Sequence, residues 1–118
     1  MRDVKSFASV YLHREPVDMR KGINGLSEIV QMAQMGPIMG NSLFVFCGRR
    51  RNSLKILYFD KSGFALWQKR LEQDKFAWPK KLSDEVIEIS SEQMSWLLEG
   101  IDVFKIRRFE ELHFEKVC

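Results

Sequence analysis

The chain has 118 residues, 45% of them hydrophobic and 12% aromatic, with nine Phe, three Trp and a formal net charge of +3. That length suits one domain with a real core, and the aromatic content excludes a disordered chain. No apolar run nears the ~20 residues that span a bilayer, and no apolar N-terminal segment precedes a small-residue cleavage site, so the expectation is an untargeted, cytoplasmic protein with no membrane partner.

Charge is unevenly distributed. Arg49 to Lys81 holds ten Lys or Arg against three Asp or Glu, a net +7, whereas Leu82 to Cys118 holds four against nine, a net −5. A basic middle of this kind points to a polyanionic partner, most simply DNA or RNA. The acidic C-terminal part is expected to compete with nucleic acid for the basic surface. Cys47 and Cys118 form no CxxC pair and have no histidine at ligand spacing, so both read as spectator thiols; no metal and no cofactor is expected.

In chain order, Phe7 to Leu12 alternates as a short strand ended by Glu15-Pro16. Asp18 stands where an N-cap belongs, and Met19, Ile23, Leu26, Ile29, Val30 and Ala33 recur at helical spacing, which predicts a helix over about 18–34. Gly22 and Gly25 weaken it by ~1 kcal/mol each relative to Ala, so tertiary packing must hold it. Gly36-Pro37 marks its stop. Three strands follow, Leu43 to Cys47, Leu54 to Phe59 and Phe64 to about Leu71, joined by the short turns Gly48 to Asn52 and Asp60 to Gly63 that imply antiparallel neighbours. Phe76 to Trp78 reads as a brief further strand and Val86 to Ile89 as the last one. Ser90 with Gln93 resembles a capping box opening a helix over about 91–100, ended by Gly100. Residues 104–118 fit strand or helix equally. The expected fold is therefore one α+β domain over 1–118: a mainly antiparallel β-meander packed by an N-terminal and a short C-terminal helix.

The heptapeptide Pro16-Val17-Asp18-Met19-Arg20-Lys21-Gly22 is followed by Leu26, Leu43 to Phe46, Lys55 to Leu57, Asp60, Gly63 and Leu66-Trp67. Lys69 to Leu71, Trp78-Pro79 and Leu97 to Ile101 complete the series. In this order, over about residues 8–103, the chain resembles the accessory protein encoded by the second open reading frame of insertion sequence 66 family transposons, the TnpB type of that family. It is distinct from the RNA-guided nucleases that share that label. The resemblance implies an auxiliary role in transposition beside a larger transposase that carries the strand-cutting chemistry. It makes DNA and that transposase the expected partners.

The residues themselves supply candidate nucleic-acid contacts. Arg49, Arg50 and Arg51 sit on a turn from which three guanidinium groups can fan toward phosphates, and binding of that kind is strongly salt-dependent. The alternative is a solvated hairpin tip. Lys55 lies on the next strand. On the third, Trp67 and Lys69 project to one face and Arg70 to the other, so Trp67 is either a base-stacking platform or a core residue. Lys75 extends the basic series. Arg20 and Lys21 in the first turn of the expected helix would form an anion site if exposed; otherwise Asp18 caps the helix and pairs with a neighbouring arginine.

Catalytic chemistry finds no footing. Metal-dependent nucleases need converging carboxylates, yet the acidic residues of the first eighty positions are few, and Asp60, Glu72 and Asp74 among them read as turn residues. His13 and His113 are isolated, and no phosphate loop or nucleophile elbow is present. The expectation is a non-catalytic accessory that binds DNA and takes no small-molecule substrate. One alternative is an adapter docking on the transposase through Phe76, Trp78, Phe104, Phe109 and Phe114; a small nuclease is the remaining one. Strand edges permit a homodimer. DNA binding predicts Arg49, Arg50, Arg51, Lys69 and Lys75 on one face, an adapter predicts a contiguous apolar patch, and a nuclease predicts carboxylates in a cleft.

Overall fold

Five strands form one sheet in the computed structural model, which describes residues 3–79 and 84–104. In chain order they are β1 (Ser9–His13), β2 (Ser42–Cys47), β3 (Ser53–Asp60), β4 (Gly63–Arg70) and β5 (Val86–Ile89). Two helices accompany them, α1 (Ile23–Met32) between β1 and β2 and α2 (Ser91–Leu98) after β5, and a 3-10 turn at Val4–Ser6 precedes the sheet. The spatial order is β4-β3-β2-β1-β5. Every neighbouring pair is antiparallel except β1 with β2, which run parallel because α1 carries the chain back between them. The α+β architecture expected from the sequence is the one observed.

Each face of this sheet buries its own core. Strand geometry sends alternate side chains to opposite sides, and β2 is apolar on both: Leu43, Val45 and Cys47 join Val10, Leu12, Leu54, Ile56, Ile87 and Ile89 beneath α2. Phe44 and Phe46 join Leu57 beneath Leu26, Val30 and Met35 of the α1 region. A strand buried on both sides reads as a continuous apolar run, which is what SLFVFC is. Phe76 and Trp78 add to the α2-side core without forming a strand. Trp78 is fixed there by its indole Nε1, which donates to the Arg14 carbonyl at 2.8 Å. The brief strand expected over 76–78 is thus an irregular segment in which burial of two aromatic rings replaces ladder pairing.

Helix α1 starts later than its apolar spacing suggests. Gly22, not Asp18, is its N-cap, and no side chain caps it. Asp18 is engaged locally instead: its carboxylate accepts the Arg20 backbone N–H at 2.9 Å and its carbonyl accepts the Lys21 N–H at 3.1 Å, closing a turn over 18–21. Helix α2 has the full capping box, with Gln93 N–H donating to Ser90 Oγ and Ser90 N–H to Gln93 Oε1.

Both helices end in the same motif. Past α2, Gly100 at φ 88° donates to Leu97 and Ile101 to Trp96, while past α1 the left-handed position falls on Gln34 at φ 51°, with Gln34 donating to Gln31 and Met35 to Val30. The Gly36-Pro37 stop therefore lies beyond the true helix end. Gly36 serves another purpose: a Cβ there would stand 2.8 Å from Tyr11 Cε2, and that ring is stacked on Phe44. Two substitutions are expected to move stability in opposite directions. Gln34→Gly relieves a left-handed L-residue and is expected to raise the unfolding free energy by about 0.5–1 kcal/mol. Gly36→Ala forces the Tyr11 ring aside and is expected to lower it by about 1–3 kcal/mol. Urea melts of the two variants beside wild type decide both, and a neutral Gly36→Ala would contradict the packing argument.

Candidate nucleic-acid interface

At one end of the sheet the chain leaves β1 and β2 side by side. Val17 continues the parallel pairing past β1, its N–H donating to the Cys47 carbonyl at 2.9 Å, and Gly48 opens the turn to β3. The end of β4 arrives at the same place because Arg70 pairs with Ser53. Between these segments lies a cleft of about 570 Å3 lined by Pro16, Val17, Asp18, Met19, Gly48, Arg49, Arg50, Asn52, Ser53 and Arg70. Its position, outside the carboxyl ends of parallel strands, is where open sheets with crossover helices hold ligands.

Local geometry builds its walls. A Cβ on Gly48 would meet Met19 Cγ at 2.7 Å, so the absence of a side chain there is what lets Met19 lie against the β2–β3 turn. The turn itself closes through Gly48 N–H to the Ser53 carbonyl and Arg51 N–H to the Gly48 carbonyl, at 3.1 and 3.0 Å. Arg49 and Arg50 project from it exposed, and neither guanidinium has a hydrogen bond or ion pair among the described residues. Arg70 donates to Glu72 Oε1 at 3.2–3.3 Å on an exposed surface, an attachment that costs little to exchange.

Opposite charge in the cleft wall is already compensated. Asp18 receives Arg20 through Nε at 3.0 and 3.1 Å and through Nη2 at 2.8 Å, and these hydrogen bonds, with that from the Arg20 backbone, hold its carboxyl well below the usual carboxylate range. The same contact raises Arg20 further. Arg20 and Lys21 thus stand in the turn ahead of α1, not in its first turn as expected, with Lys21 exposed and its stem against Gly25.

Four of the sequence candidates point elsewhere. Lys55 is only 8% exposed and donates from Nζ to the Lys21 carbonyl at 2.7 Å, pinning the 18–22 segment to the sheet. Lys69 faces the α2 side and donates to the Leu98 carbonyl at 2.7 Å, a cation placed at the negative end of a helix whose own last turn has no basic residue. Trp67 is partly buried and packs against the α2-side core. Arg51 adopts φ 62° and turns inward, with one terminal nitrogen buried and unpartnered. Lys75 is exposed but outside the cleft wall. The expected common face of Arg49, Arg50, Arg51, Lys69 and Lys75 is therefore replaced by a cleft that joins Arg49, Arg50 and Arg70. Reasoning from charge alone passed over Pro16, Val17, Met19, Asn52 and Ser53; the quoted heptapeptide contained the first three.

Other candidates settle into structural roles. His13 is buried and donates from Nδ1 to the Glu15 carbonyl at 2.8 Å. Burial pushes the Cys47 thiol up to about 12, which removes its nucleophilic form. Among the described residues no three His, Cys, Asp or Glu side chains gather where they could hold a metal ion, and no helix is long and apolar enough to cross a membrane. Phe76 and Trp78 are buried and Phe104 packs on the core, while Phe109, Phe114, His113 and Cys118 lie outside the described residues.

Comparison with known proteins identifies the family. The family profile described as "IS66 Orf2 like protein" matches residues 8–108. An uncharacterized protein of Sinorhizobium fredii, y4jC, is 36% identical over 94 residues, covering 80% of each chain. A second from that organism, y4hO, is 40% identical over 94 residues, covering 79% of this chain and 80% of its own. No solved structure matches. With most of its length inside that family profile, the chain belongs to the IS66 Orf2-like proteins and takes an accessory part in transposition of an insertion sequence.

Proposed function

We propose that this accessory protein is non-catalytic and binds DNA through the arginine-lined cleft, the basic β2–β3 turn being its forward edge. The observation that carries this reading is the pair Arg49 and Arg50: two exposed guanidinium groups with no partner among the described residues, beside Arg70 at the mouth of one concave site. Guanidinium forks without carboxylate partners suit phosphate oxygens, which accept them two at a time. Asp18 is the acidic residue in the wall and is occupied by Arg20, so the site offers donors and no free base. The transposase of the same element is the protein expected to share that DNA, and pairing of two copies through sheet edges is compatible with it. An adapter acting through exposed aromatics has less support, since Phe76 and Trp78 are in the core and among the described residues the large exposed apolar side chains are Met32, Met39 and Ile101.

Fluorescence anisotropy across a salt series tests the proposal. Each phosphate neutralised contributes a slope of about −0.9 in log affinity against log salt on duplex DNA, so Arg49→Ala/Arg50→Ala is expected to flatten the wild-type slope by about 2. Lys61→Ala removes an exposed cation from the β3–β4 turn and is expected to leave the slope unchanged. Absence of binding at low salt, or equal flattening by both variants, would overturn the reading.

A further inference from the structure

The cleft carries a second kind of chemistry. Pro16, Val17 and Met19 give it an apolar wall, and Gly48 is what allows Met19 to lie there. Asn52 and Ser53 stand in the same wall with side chains that make no hydrogen bond among the described residues. Phosphate binding alone requires none of these: duplex phosphates line a convex ridge, and the base faces are stacked out of reach. An apolar wall beside unpaired donors suits a ligand that brings a flat apolar face, polar edges and an anion together.

Resting on the reading that the cleft binds DNA, we infer that it receives an unpaired nucleotide. The base lies against Pro16, Val17 and Met19, the adjoining phosphates meet Arg49 and Arg50, and Asn52 addresses the base edge. The volume of about 570 Å3 falls within the range of sites for small organic ligands and holds one nucleotide with room for its neighbour's phosphate. Methionine offers an aromatic base its polarizable sulfur and a flexible chain tolerant of purine or pyrimidine, while an amide supplies both a donor and an acceptor. Recognition of this type favours single strands and frayed or overhanging ends over closed duplex, with little sequence preference.

The test compares three labelled probes at one salt concentration: a blunt duplex, the same duplex with a short single-stranded overhang, and the single strand alone. The overhang and the single strand are expected to bind about fivefold or more tightly than the blunt duplex, as one stacked base would produce. Met19→Ala is expected to bring the ratio of overhang to blunt-duplex affinity down to about 1, from the fivefold or more of the wild-type protein. In the wild-type protein, methyl signals of Val17 and Met19 are expected to shift on adding a short thymidine oligonucleotide, a readout that does not depend on any variant folding. Equal affinity for all three probes, or unmoved methyl signals, would overturn the inference while leaving DNA binding intact; failure of every probe to bind would remove both. A glutamate-rich peptide that displaces the single strand at equal concentration would also overturn it, since the cleft would then answer to negative charge alone.

Discussion

Trp78→Ala is expected to lower the unfolding free energy by about 3–5 kcal/mol, a large part of the stability of a domain this size. Trp78 is 7% exposed, packs in the α2-side core and donates from its indole to the Arg14 carbonyl at 2.8 Å. Alanine removes the ring contacts and strands that carbonyl. Trp78→Phe separates the two contributions, keeping most of the apolar volume but not the donor, and is expected to cost about 1–3 kcal/mol. Urea denaturation followed by circular dichroism reads both. Equal costs would show that the hydrogen bond, and not the packed ring, anchors this irregular segment.

Phe44→Ala is expected to cost a similar ~3–5 kcal/mol, but with a different distribution of damage. Phe44 is fully buried on the central strand β2, opposite Tyr11 on β1 and Leu57 on β3, with its ring stacked on Tyr11 at 5.8 Å between centroids. It forms the floor on which Leu26 and Val30 of α1 rest. That helix has ten residues, no side-chain cap and an internal Gly25, so it is shorter than the ~12–15 residues at which isolated helices become even marginal. Amide exchange in Ile23–Met32 is therefore expected to accelerate more than in Ser91–Leu98, which keeps its capping box and the other core. Phe44→Leu, near in volume, is expected to cost less than about 1.5 kcal/mol. Uniform acceleration across both helices would show instead that the two cores open together.

Local signals with a local cause were legible in advance. The β5 bounds Val86–Ile89, the Ser90 and Gln93 capping box, the Gly100 ending and the two short turns joining β2, β3 and β4 all follow from residues within a few positions of one another. Asp18 misled for a physical reason: a carboxylate that can cap a helix can equally close its own turn, and the nearby Arg20 guanidinium decides between the two. Gly36-Pro37 gave the helix stop too late because the left-handed position falls on Gln34, where the bonds of Met35 to Val30 and Gln34 to Gln31 outweigh the cost of a left-handed non-glycine residue. Lys55, Lys69 and Arg51 belong to the same basic segment as Arg49, Arg50 and Arg70, and charge counting treats them alike. What separates them is which face of the sheet each strand position presents, and whether an orphan carbonyl such as that of Lys21 or Leu98 lies within reach of an ammonium group.

By itself the sequence determined the α+β class, both helices, the five strands that pair and the basic character of the middle of the chain, because these depend on composition, periodicity and short-range turn chemistry, and its ordered motifs from Pro16 onward carried the family resemblance. Only the tertiary structure decided that β1 and β2 run parallel, that Trp67 and Lys69 turn toward the core, and that Pro16 to Met19 meet Arg49, Arg50 and Arg70 around one cleft. Those relations join residues up to 54 positions apart, and they are set by which apolar faces must be buried against which neighbours, a choice that no short window of sequence contains.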